Sequence, residues 1–372
     1  MKGTAAIVGA GIAGLAAARS LTLGGWDVQV LERSSTLSTS GTLIGVWPTA
    51  YTALERLGVA GRLQSIDITS GTLLRPDGRV LASLTLPLKS HAVSRISINE
   101  GLYAGLPEGT VRFGAAVRSL ADLPQADVVI AADGVHSSVR AAAFPEARLR
   151  DGGTVAFRGV APVASTGPTE TWGRNLIFGR APFPGGGSNW YAGVRADLAG
   201  TRDDDPLAVL QALYRDWHPA VHEVLDSLAP GDIDRRRIED LAPLKSYVSG
   251  NIVLVGDAAH AMSPHLGRGG CESLVDGLAL GEALLAAPSV GEGLARYDAE
   301  RRRPSQKSVL GSRVMARLTN LQSHPWARDT LVAAVGALLA LRVARRGPPA
   351  RPSGPRREPG RTALRVARRA AP

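Results

Sequence analysis

The feature that most constrains the fold is a glycine-rich turn near the N-terminus, Gly9-Ala10-Gly11-Ile12-Ala13-Gly14. An apolar run, Thr4–Val8, precedes this turn, and an apolar stretch at helical spacing, Ile12–Leu23, follows it. In such a strand–turn–helix unit the first glycine allows the tight turn, the second lets the backbone approach a pyrophosphate, and the third lets the helix pack closely on the strand. The spacing predicts a βαβ unit that binds a dinucleotide on the N–H groups at the helix start.

An acidic residue at the end of the second predicted strand agrees with this interpretation. The strand Val28–Leu31 follows a Gly24-Gly25 break, and Glu32 lies 23 residues after Gly9. A carboxylate at this place accepts hydrogen bonds from ribose hydroxyls, which favours FAD or NAD over NADP.

In each of two later segments, 127–140 and 252–270, an aspartate follows a short apolar run that is typical of a strand. In the first, Asp133-Gly134 follows the strand. In the second, Asp257 follows the strand, and residues 258–270 end in a glycine-rich turn before a predicted helix. The start of such a helix can stabilise negative charge on a bound ligand.

The middle of the chain has a different pattern. Residues 71–87 are typical of a hairpin around Pro76-Asp77-Gly78, and residues 153–195 alternate short strands with Gly/Pro turns. Helical patterns cover 205–228, with a break at His218-Pro219, 294–317, with an interruption at Pro304, and 329–345. We therefore expect an antiparallel sheet inserted between pieces of a parallel α/β domain.

The charge of the chain is concentrated at one end. The net charge is +10, yet residues 342–372 contain ten arginines and one glutamate, so the rest of the chain is nearly neutral. No RNA-binding or helix-turn-helix signature accompanies this basic segment, and we expect no specific nucleic-acid partner. We expect a disordered tail that associates at most weakly with anionic surfaces.

The remaining composition narrows the class further. The single cysteine excludes a disulfide framework and a multi-cysteine zinc site, and we expect no metal. The N-terminus has no signal-peptide cleavage region, and the apolar run Leu331–Leu341 is shorter than the roughly 20 residues of a membrane span. These features predict a cytoplasmic protein.

The three motifs, in this order and spacing, resemble those of the FAD-dependent aromatic monooxygenases of the p-hydroxybenzoate hydroxylase class. The chain looks closest to the compact members that include zeaxanthin-epoxidase-like and tetracycline-inactivating enzymes, and the resemblance covers about residues 4–317. It implies an α/β fold with a Rossmann-like FAD-binding domain, an inserted antiparallel-sheet substrate domain and C-terminal helices. The implied boundaries are 1–70, 93–150 and 245–325 for the FAD-binding domain, 71–92 and 151–244 for the substrate domain, 326–346 for a C-terminal helix, and 347–372 for the disordered basic tail.

The resemblance also assigns site residues. It implies that FAD is bound by Gly9, Gly11, Gly14, Glu32, Arg33, Arg95, Asp133, Gly134, Asp257, Pro264, Gly267, Gly269 and Gly270. Among the tryptophans, Trp47, Trp172 and Trp190 are candidates for an aromatic substrate pocket. The resemblance places residues 258–270 along the flavin, and we call them the flavin loop. No general base is identified, although His260 or His265 of this loop could take a phenolic proton and Arg268 could attract an anionic substrate.

The activity that the resemblance implies is a single-component monooxygenation. NADH or NADPH reduces FAD transiently, and one atom of O2 is transferred to an aromatic, polycyclic or polyene small molecule by hydroxylation or epoxidation. The alternative is a flavin-dependent oxidase or reductase of the same fold without oxygen insertion. A flavin halogenase is disfavoured because the W-x-W-x-I-P signature of that family is missing from the sequence.

Overall fold

The structure, a computed structural model, describes residues 2–38, 41–319 and 330, and it describes no side chains for residues 86–89. The predicted C-terminal helix 326–346, apart from Thr330, and the predicted basic tail 347–372 lie outside the described residues. Among the helices that are described, none has the length and apolarity to cross a membrane.

The described residues form fourteen strands and nine helices. The strands are β1 (Thr4–Val8), β2 (Asp27–Glu32), β3 (Leu43–Val46), β4 (Ser65–Leu74), β5 (Val80–Ser94), β6 (Val111–Phe113), β7 (Val128–Ala131), β8 (Leu149–Ala161), β9 (Thr169–Trp172), β10 (Leu176–Pro182), β11 (Ser188–Arg195), β12 (Asp234–Leu241), β13 (Val248–Ser249) and β14 (Ile252–Leu254). The helices are α1 (Ile12–Leu23), α2 (Pro48–Arg56), α3 (Arg95–Tyr103), α4 (Ser138–Ala143), α5 (Pro206–Tyr214), α6 (Pro219–Leu225), α7 (Asp257–His260), α8 (Gly269–Ala286) and α9 (Val290–Thr319).

The first sheet has six strands in the order β13-β14-β7-β1-β2-β6. All of its pairs are parallel except β13 with β14. The four residues Ala5–Val8 of β1 are buried, as expected for a parallel strand covered on both faces. Because β14, β7, β1 and β2 are neighbours, the segments that follow these strands meet at one edge of the sheet, where parallel α/β folds bind ligands.

The second sheet has eight strands in the order β12-β8-β11-β10-β9-β4-β5-β3. It is antiparallel except for the parallel pair β4 with β9. The predicted α/β fold class is confirmed. Two strands of this sheet lie partly or wholly before residue 71, the implied start of the substrate domain. They are β3, which pairs with β5, and β4, which begins at Ser65.

Each sheet has its own core. The first surrounds β1, α1 and α8, and the second lies between the second sheet and helices α5 and α6, where Phe178 stacks on Trp190 with ring centroids 5.9 Å apart. Helices α2, α5 and α6 all begin with proline, which is tolerated in the first turn because the N–H it lacks has no partner there. This explains the predicted break at His218-Pro219.

The predicted interruption at Pro304 is wrong, because α9 continues through this residue to Thr319. A proline inside a helix removes the backbone hydrogen bond to the carbonyl four residues earlier, but the residue after Pro304 ties the helix to its surroundings. Ser305 Oγ donates to the Arg301 carbonyl at 2.9 Å, and it also contacts Tyr247 Oη at 2.8 Å. Packing of α9 on the first domain therefore overrides the local preference.

Candidate active site

One cavity of 2760 Å³ runs from the glycine turn at the edge of the first sheet to the inner face of the second sheet. Pockets for a single drug-sized ligand occupy about 300–1,000 Å³. The cavity therefore has room for a dinucleotide and a second ligand. It is lined by ten of the residues assigned to FAD: Gly9, Gly11, Glu32, Arg33, Arg95, Asp133, Gly134, Asp257, Pro264 and Gly267.

The glycine turn has the backbone geometry that a pyrophosphate requires. Gly9 has a φ of +103°, and a Cβ there would lie 2.5 Å from the Ala132 carbonyl oxygen, so only glycine fits. A Cβ built on Gly11 would meet no described atom within 4 Å, which leaves the backbone open to a ligand. Glu32 Oε2 accepts from the Ala10 N–H at 2.8 Å, which fixes this carboxylate beside the turn.

Arg95 and Asp133 carry polar groups that suit a phosphate and its neighbours. No ion pair joins the Arg95 guanidinium to another described residue; burial lowers its pKa, and Asp257 partly offsets this effect. Asp133 Oδ2 accepts from the Val139 N–H at 3.3 Å, whereas its buried Oδ1 has no partner among the described residues. A buried unpaired oxygen is costly unless a ligand supplies a donor.

Asp257 begins α7 directly after β14 and faces the same cavity. Within the part of the chain that the structure describes, no hydrogen bond or ion pair involves its carboxylate. A free carboxylate beside a cationic arginine and an open glycine turn can accept hydrogen bonds from the sugar hydroxyls of a dinucleotide. The residues present therefore fit FAD.

Six of the predicted site residues do not line the cavity: Gly14, Trp47, His260, Arg268, Gly269 and Gly270. Gly14 and Gly270 serve packing, because a Cβ would lie 2.0 Å from the Gly9 carbonyl oxygen and 2.9 Å from Ile44, respectively. The glycine spacing alone does not separate these packing positions from ligand-facing ones.

His260 and Arg268 instead belong to a buried charge ladder, which we define as Arg268, Glu272, Arg301, Asp276 and His260. Arg301 joins Glu272 at 2.7 Å and Asp276 at 2.8 Å, while Arg268 donates to Glu272 at 2.9 Å. His260 Nε2 lies 2.6 Å from Asp276 Oδ2. The expectation that His260 could be the catalytic base is corrected, because its side chain is fully buried away from the cavity. Arg268 is likewise engaged with Glu272 and does not face the ligand space.

The charges of the ladder hold one another in place. Burial alone would lower the pKa of His260, but the Asp276 carboxylate raises it above its usual value. Burial would raise the pKa of Asp276, but His260 and Arg301 lower it to about 2. Asp276 Oδ2 also accepts from the Gly256 N–H at 2.9 Å, so the ladder fixes the turn that presents Asp257.

His265 is the histidine of the flavin loop that lines the cavity, together with Pro264. Its Nδ1 contacts Ser263 Oγ, which orients the ring, and burial lowers its pKa to about 4. It is therefore neutral at physiological pH and able to accept a proton. Cys271 is not activated by its helix start, since burial raises the pKa of its thiol to about 11 and Sγ donates to the Gly45 carbonyl at 3.0 Å.

The three predicted tryptophans have different positions. Trp172 and Trp190 line the cavity, although Trp190 is fully buried and belongs chiefly to the second core. Trp47 is a wrong prediction, because it does not line the cavity. It precedes α2, packs against the first core, and donates its backbone N–H to Cys271 Sγ at 3.5 Å.

The cavity also contains two polar residues that the sequence did not reveal, Glu170 of β9 and Tyr191 of β11. The Glu170 carboxylate accepts from Tyr191 Oη on one oxygen and from Trp172 Nε1 on the other. Burial, followed by the proximity of Glu170, raises the pKa of Tyr191 far above its usual value, so the phenol keeps its proton. No motif marks these residues, because they meet only through strand pairing.

Comparison with known proteins agrees with this geometry. Residues 121–312, just over half of the chain, match the family described as FAD binding domain, and residues 7–44 match the family described as NAD(P)-binding Rossmann-like domain. The chain is 30% identical over 359 residues to 2-heptyl-3-hydroxy-4(1H)-quinolone synthase of Pseudomonas aeruginosa, which covers 88% of this chain and 93% of the relative. It is 29% identical over 357 residues to aurachin C monooxygenase/isomerase of Stigmatella aurantiaca, with the same coverage.

The fold is shared with solved structures. HpxO of Klebsiella pneumoniae in complex with FAD and uric acid superposes with a TM-score of 0.80 at 22% identity, covering 92% of this chain and 96% of that chain. At this identity the likeness shows a shared fold.

Proposed function

Because the chain belongs to the FAD-dependent aromatic monooxygenases, we propose that the cavity described above holds FAD along the glycine turn and Asp257, and a planar nitrogen heterocycle beneath the second sheet. The enzyme is a single-component monooxygenase that uses a nicotinamide reductant and O2. The observation that carries the placement is the continuity of the cavity, which joins Gly11, Asp257, Pro264 and the strand β9 in one space.

The residues of the chain bind, orient and shield, while the redox chemistry belongs to the cofactor. When bound, FAD supplies electron transfer from NADH or NADPH and the activation of O2. In our proposal Gly9 and Gly11 hold the pyrophosphate, Asp257 holds the sugar alcohol, and Pro264 and Gly267 lie along the ring. The inner face of the second sheet covers the substrate and excludes water from the reacting atoms.

The proposed substrate class rests on two relatives. One is named for a 4(1H)-quinolone product, and HpxO was solved with uric acid. Both ligands are planar heterocycles with ring nitrogen atoms. We propose the same class for this chain, with hydroxylation of a ring carbon as the reaction.

Labelled dioxygen tests the proposed reaction. We expect the purified protein to contain FAD, to consume NADH or NADPH faster when a nitrogen heterocycle binds, and to place one labelled oxygen atom in the product, as detected by mass spectrometry. A product without the label would support the oxidase or reductase alternative. If no nitrogen heterocycle accelerates the consumption of either nicotinamide, the proposed substrate class is wrong.

We also propose that His265 accepts the proton that the substrate ring releases. It is the ionisable side chain of the flavin loop that lines the cavity, and its low pKa keeps it neutral above about pH 5. Positioned acid–base groups contribute roughly 10²–10⁴-fold to rates.

The His265→Asn variant is therefore expected to lower kcat about 100-fold with unchanged FAD content. Its residual rate should not depend on pH between 4 and 8, whereas the wild-type rate should fall as the pH drops through about 4, because His265 then becomes protonated. Steady-state rates across this pH range measure both effects. His222→Asn, in α6 outside the cavity, is the matched control. A kcat of the His265 variant within threefold of wild type would exclude the role.

The location of the enzyme in the cell and the role of its basic segment are also proposals. NADH and NADPH are available in the cytoplasm, which is where we place the enzyme. Weak association of the basic segment 347–372 with anionic surfaces stays a prediction from its arginine content.

A further inference from the structure

Three residues lie side by side in the second sheet because of the register of three strands. Gly179 of β10 pairs with Glu170 of β9 on one side and with Tyr191 of β11 on the other, so the three residues form one row across the sheet. A Cβ on Gly179 would lie 2.1 Å from Tyr191 Cζ. The missing side chain lets the Tyr191 ring lie across β10 and reach the Glu170 carboxylate.

Strand alternation separates this row from the hydrophobic core. Successive side chains of a strand point to opposite faces of the sheet. Trp190 is packed in the second core against Phe178, so its neighbour Tyr191 points to the opposite face, where Glu170 and Trp172 line the cavity. The cluster therefore belongs to the ligand side.

The cluster presents hydrogen-bond acceptors to a ligand. Each Glu170 oxygen takes one donor, from Tyr191 Oη or from Trp172 Nε1, which is the arrangement expected for an ionised carboxylate. A carboxylate has about four lone-pair sites, so two remain. Because the Tyr191 proton is directed to Glu170, the lone pairs of the phenol oxygen also remain as acceptors. These atoms can pair with an N–H or O–H group of a ligand.

The cluster itself carries one negative charge, that of Glu170. Among the cavity-lining residues of β9, β10 and β11, strands that the structure describes completely, Glu170 is the one charged side chain. Arg158 of β8 is the strand partner of Tyr191 and also lines the cavity, and its guanidinium is paired with Asp234 through two contacts of 3.0 and 2.9 Å. A second carboxylate placed beside Glu170 would meet like charge in a partly buried site, which is unfavourable.

The surroundings of the cluster are apolar. The same part of the cavity is lined by Leu73, Leu84, Pro168, Ile177, Ala181 and Phe183. An alkyl or aryl substituent can be buried against these side chains while a polar edge of the ring meets Glu170.

From these observations we propose that Glu170 and Tyr191 form the specificity site of the enzyme, which selects a neutral aromatic ring with an N–H or O–H donor and an apolar substituent, and which rejects aromatic carboxylates. This inference rests on the proposed placement of the substrate beneath the second sheet. Glu170 and Tyr191 act here on binding and selectivity, with no part in the redox step.

Ligand pairs that differ by one group test the proposal in the oxidised holoenzyme. The probes are 2-heptyl-4(1H)-quinolone, a 3-alkylindole and a 4-alkylphenol, each with its N- or O-methyl derivative and a ring carboxylate of the same scaffold. Dissociation constants are measured from the change in the flavin visible spectrum, without NADH or NADPH. We expect at least one donor-bearing ligand to bind about 10-fold or more tightly than both its methylated and its carboxylated partner.

The variants Glu170→Gln and Tyr191→Phe connect this preference to the two residues. In Glu170→Gln, the discrimination against the methylated ligand should fall below about threefold, and the carboxylated ligand should bind about 10-fold more tightly than it does to wild type. Tyr191→Phe should lose part of the donor preference and keep the rejection of carboxylates. Glu223→Gln is the matched control, because Glu223 pairs with Arg180 on an exposed site outside the cavity.

The binding experiment can contradict the specificity site without contradicting the proposed function. FAD content and the circular dichroism spectrum show that each variant is folded, and binding to the oxidised protein requires no turnover. If none of the three donor-bearing scaffolds is preferred, or if the preference is the same in Glu170→Gln and wild type, the specificity site is wrong. Labelled-oxygen incorporation would then still decide the proposed reaction separately.

Discussion

Replacing Asp257 with alanine is expected to weaken FAD binding about 10- to 100-fold, so that the purified variant loses most of its yellow colour. The Asp257 carboxylate faces the cavity and has no hydrogen-bond or ion-pair partner among the described residues, so its acceptor capacity is available to a ligand. A hydrogen bond to a charged group contributes roughly 1.5–3 kcal/mol, which corresponds to this range of affinities. Titration of the apoprotein with FAD, followed by flavin fluorescence, gives the dissociation constant.

A matched substitution separates this effect from a general loss of stability. Asp27 begins β2 at the opposite end of the same sheet and does not line the cavity. Asp27→Ala should therefore bind FAD with wild-type affinity. Full retention of FAD by the Asp257 variant would show that the ribityl chain does not lie beside α7, and the placement of the cofactor would have to be revised.

The cofactor half of the site could be predicted from sequence because its signals are local. Gly9 and Asp257 each follow a short apolar strand, and a strand that ends in such a turn has few alternative structures. The sequence did not show that β14, β7 and β1 are adjacent, yet the carboxyl ends of parallel strands meet wherever the strands pair. Adjacency then brings the separate motifs into one cavity.

In the proposed substrate half of the cavity, Trp172 and Trp190 were predicted, but Glu170 and Tyr191 could not be, because these two residues meet only through strand register. Glu170 and Tyr191 are separated by a whole strand, and their contact depends on which residue of β10 lies between them. The wrong prediction for Trp47 has the same origin. An aromatic residue is equally compatible with a pocket wall and with a core, and only the packing of α2 decides which surface it covers.

The two histidines of the flavin loop also could not be distinguished from the sequence, although they are close together in it. His260 and His265 are five residues apart, and both are compatible with proton transfer on chemical grounds. Of these two, His265 lines the cavity and His260 does not. The short helix α7 directs His260 into the interior, where Asp276 Oδ2 lies 2.6 Å from His260 Nε2. The signal that could have distinguished them is the partner aspartate in α8, 16 residues further along the chain.

The largest effect on stability is expected for Arg301→Met, which removes the centre of the charge ladder. Arg301 bridges two buried carboxylates, Glu272 and Asp276, and the substitution removes the one cation that contacts both, so that Glu272 keeps only Arg268 and Asp276 keeps only His260 among the ion pairs of the ladder. Removing one partner of a buried ion pair typically costs about 3–5 kcal/mol. We expect a decrease of this size in the free energy of unfolding at pH 7.5, measured by denaturant titration of the holoenzyme.

The low pKa of Asp276 determines how the stability difference between wild type and Arg301→Met changes with pH. In wild type the pKa of Asp276 is lowered to about 2, so its contribution to stability is present above the ordinary carboxyl pKa of about 3.9 and is lost as the pH falls through about 2. Without Arg301 the folded-state pKa of Asp276 rises, and protonation relieves a buried charge that has lost one of its two cationic partners. The difference in stability between wild type and Arg301→Met should therefore be largest near neutral pH and should narrow as the pH is lowered.

The neighbouring residue provides the control for the charge ladder. Arg302 pairs with Asp298 at 3.1 Å near the surface, and Asp298 keeps a hydrogen bond from the Tyr247 N–H when that arginine is removed. Solvent-screened pairs contribute about 0–1 kcal/mol, and because this pair is partly exposed, Arg302→Met should change the unfolding free energy much less than Arg301→Met does. Equal effects of the two substitutions would mean that the ladder does not support the fold. Because Asp276 also holds the turn before Asp257, a stable Arg301→Met variant with unchanged FAD affinity would further separate this ladder from the cofactor site.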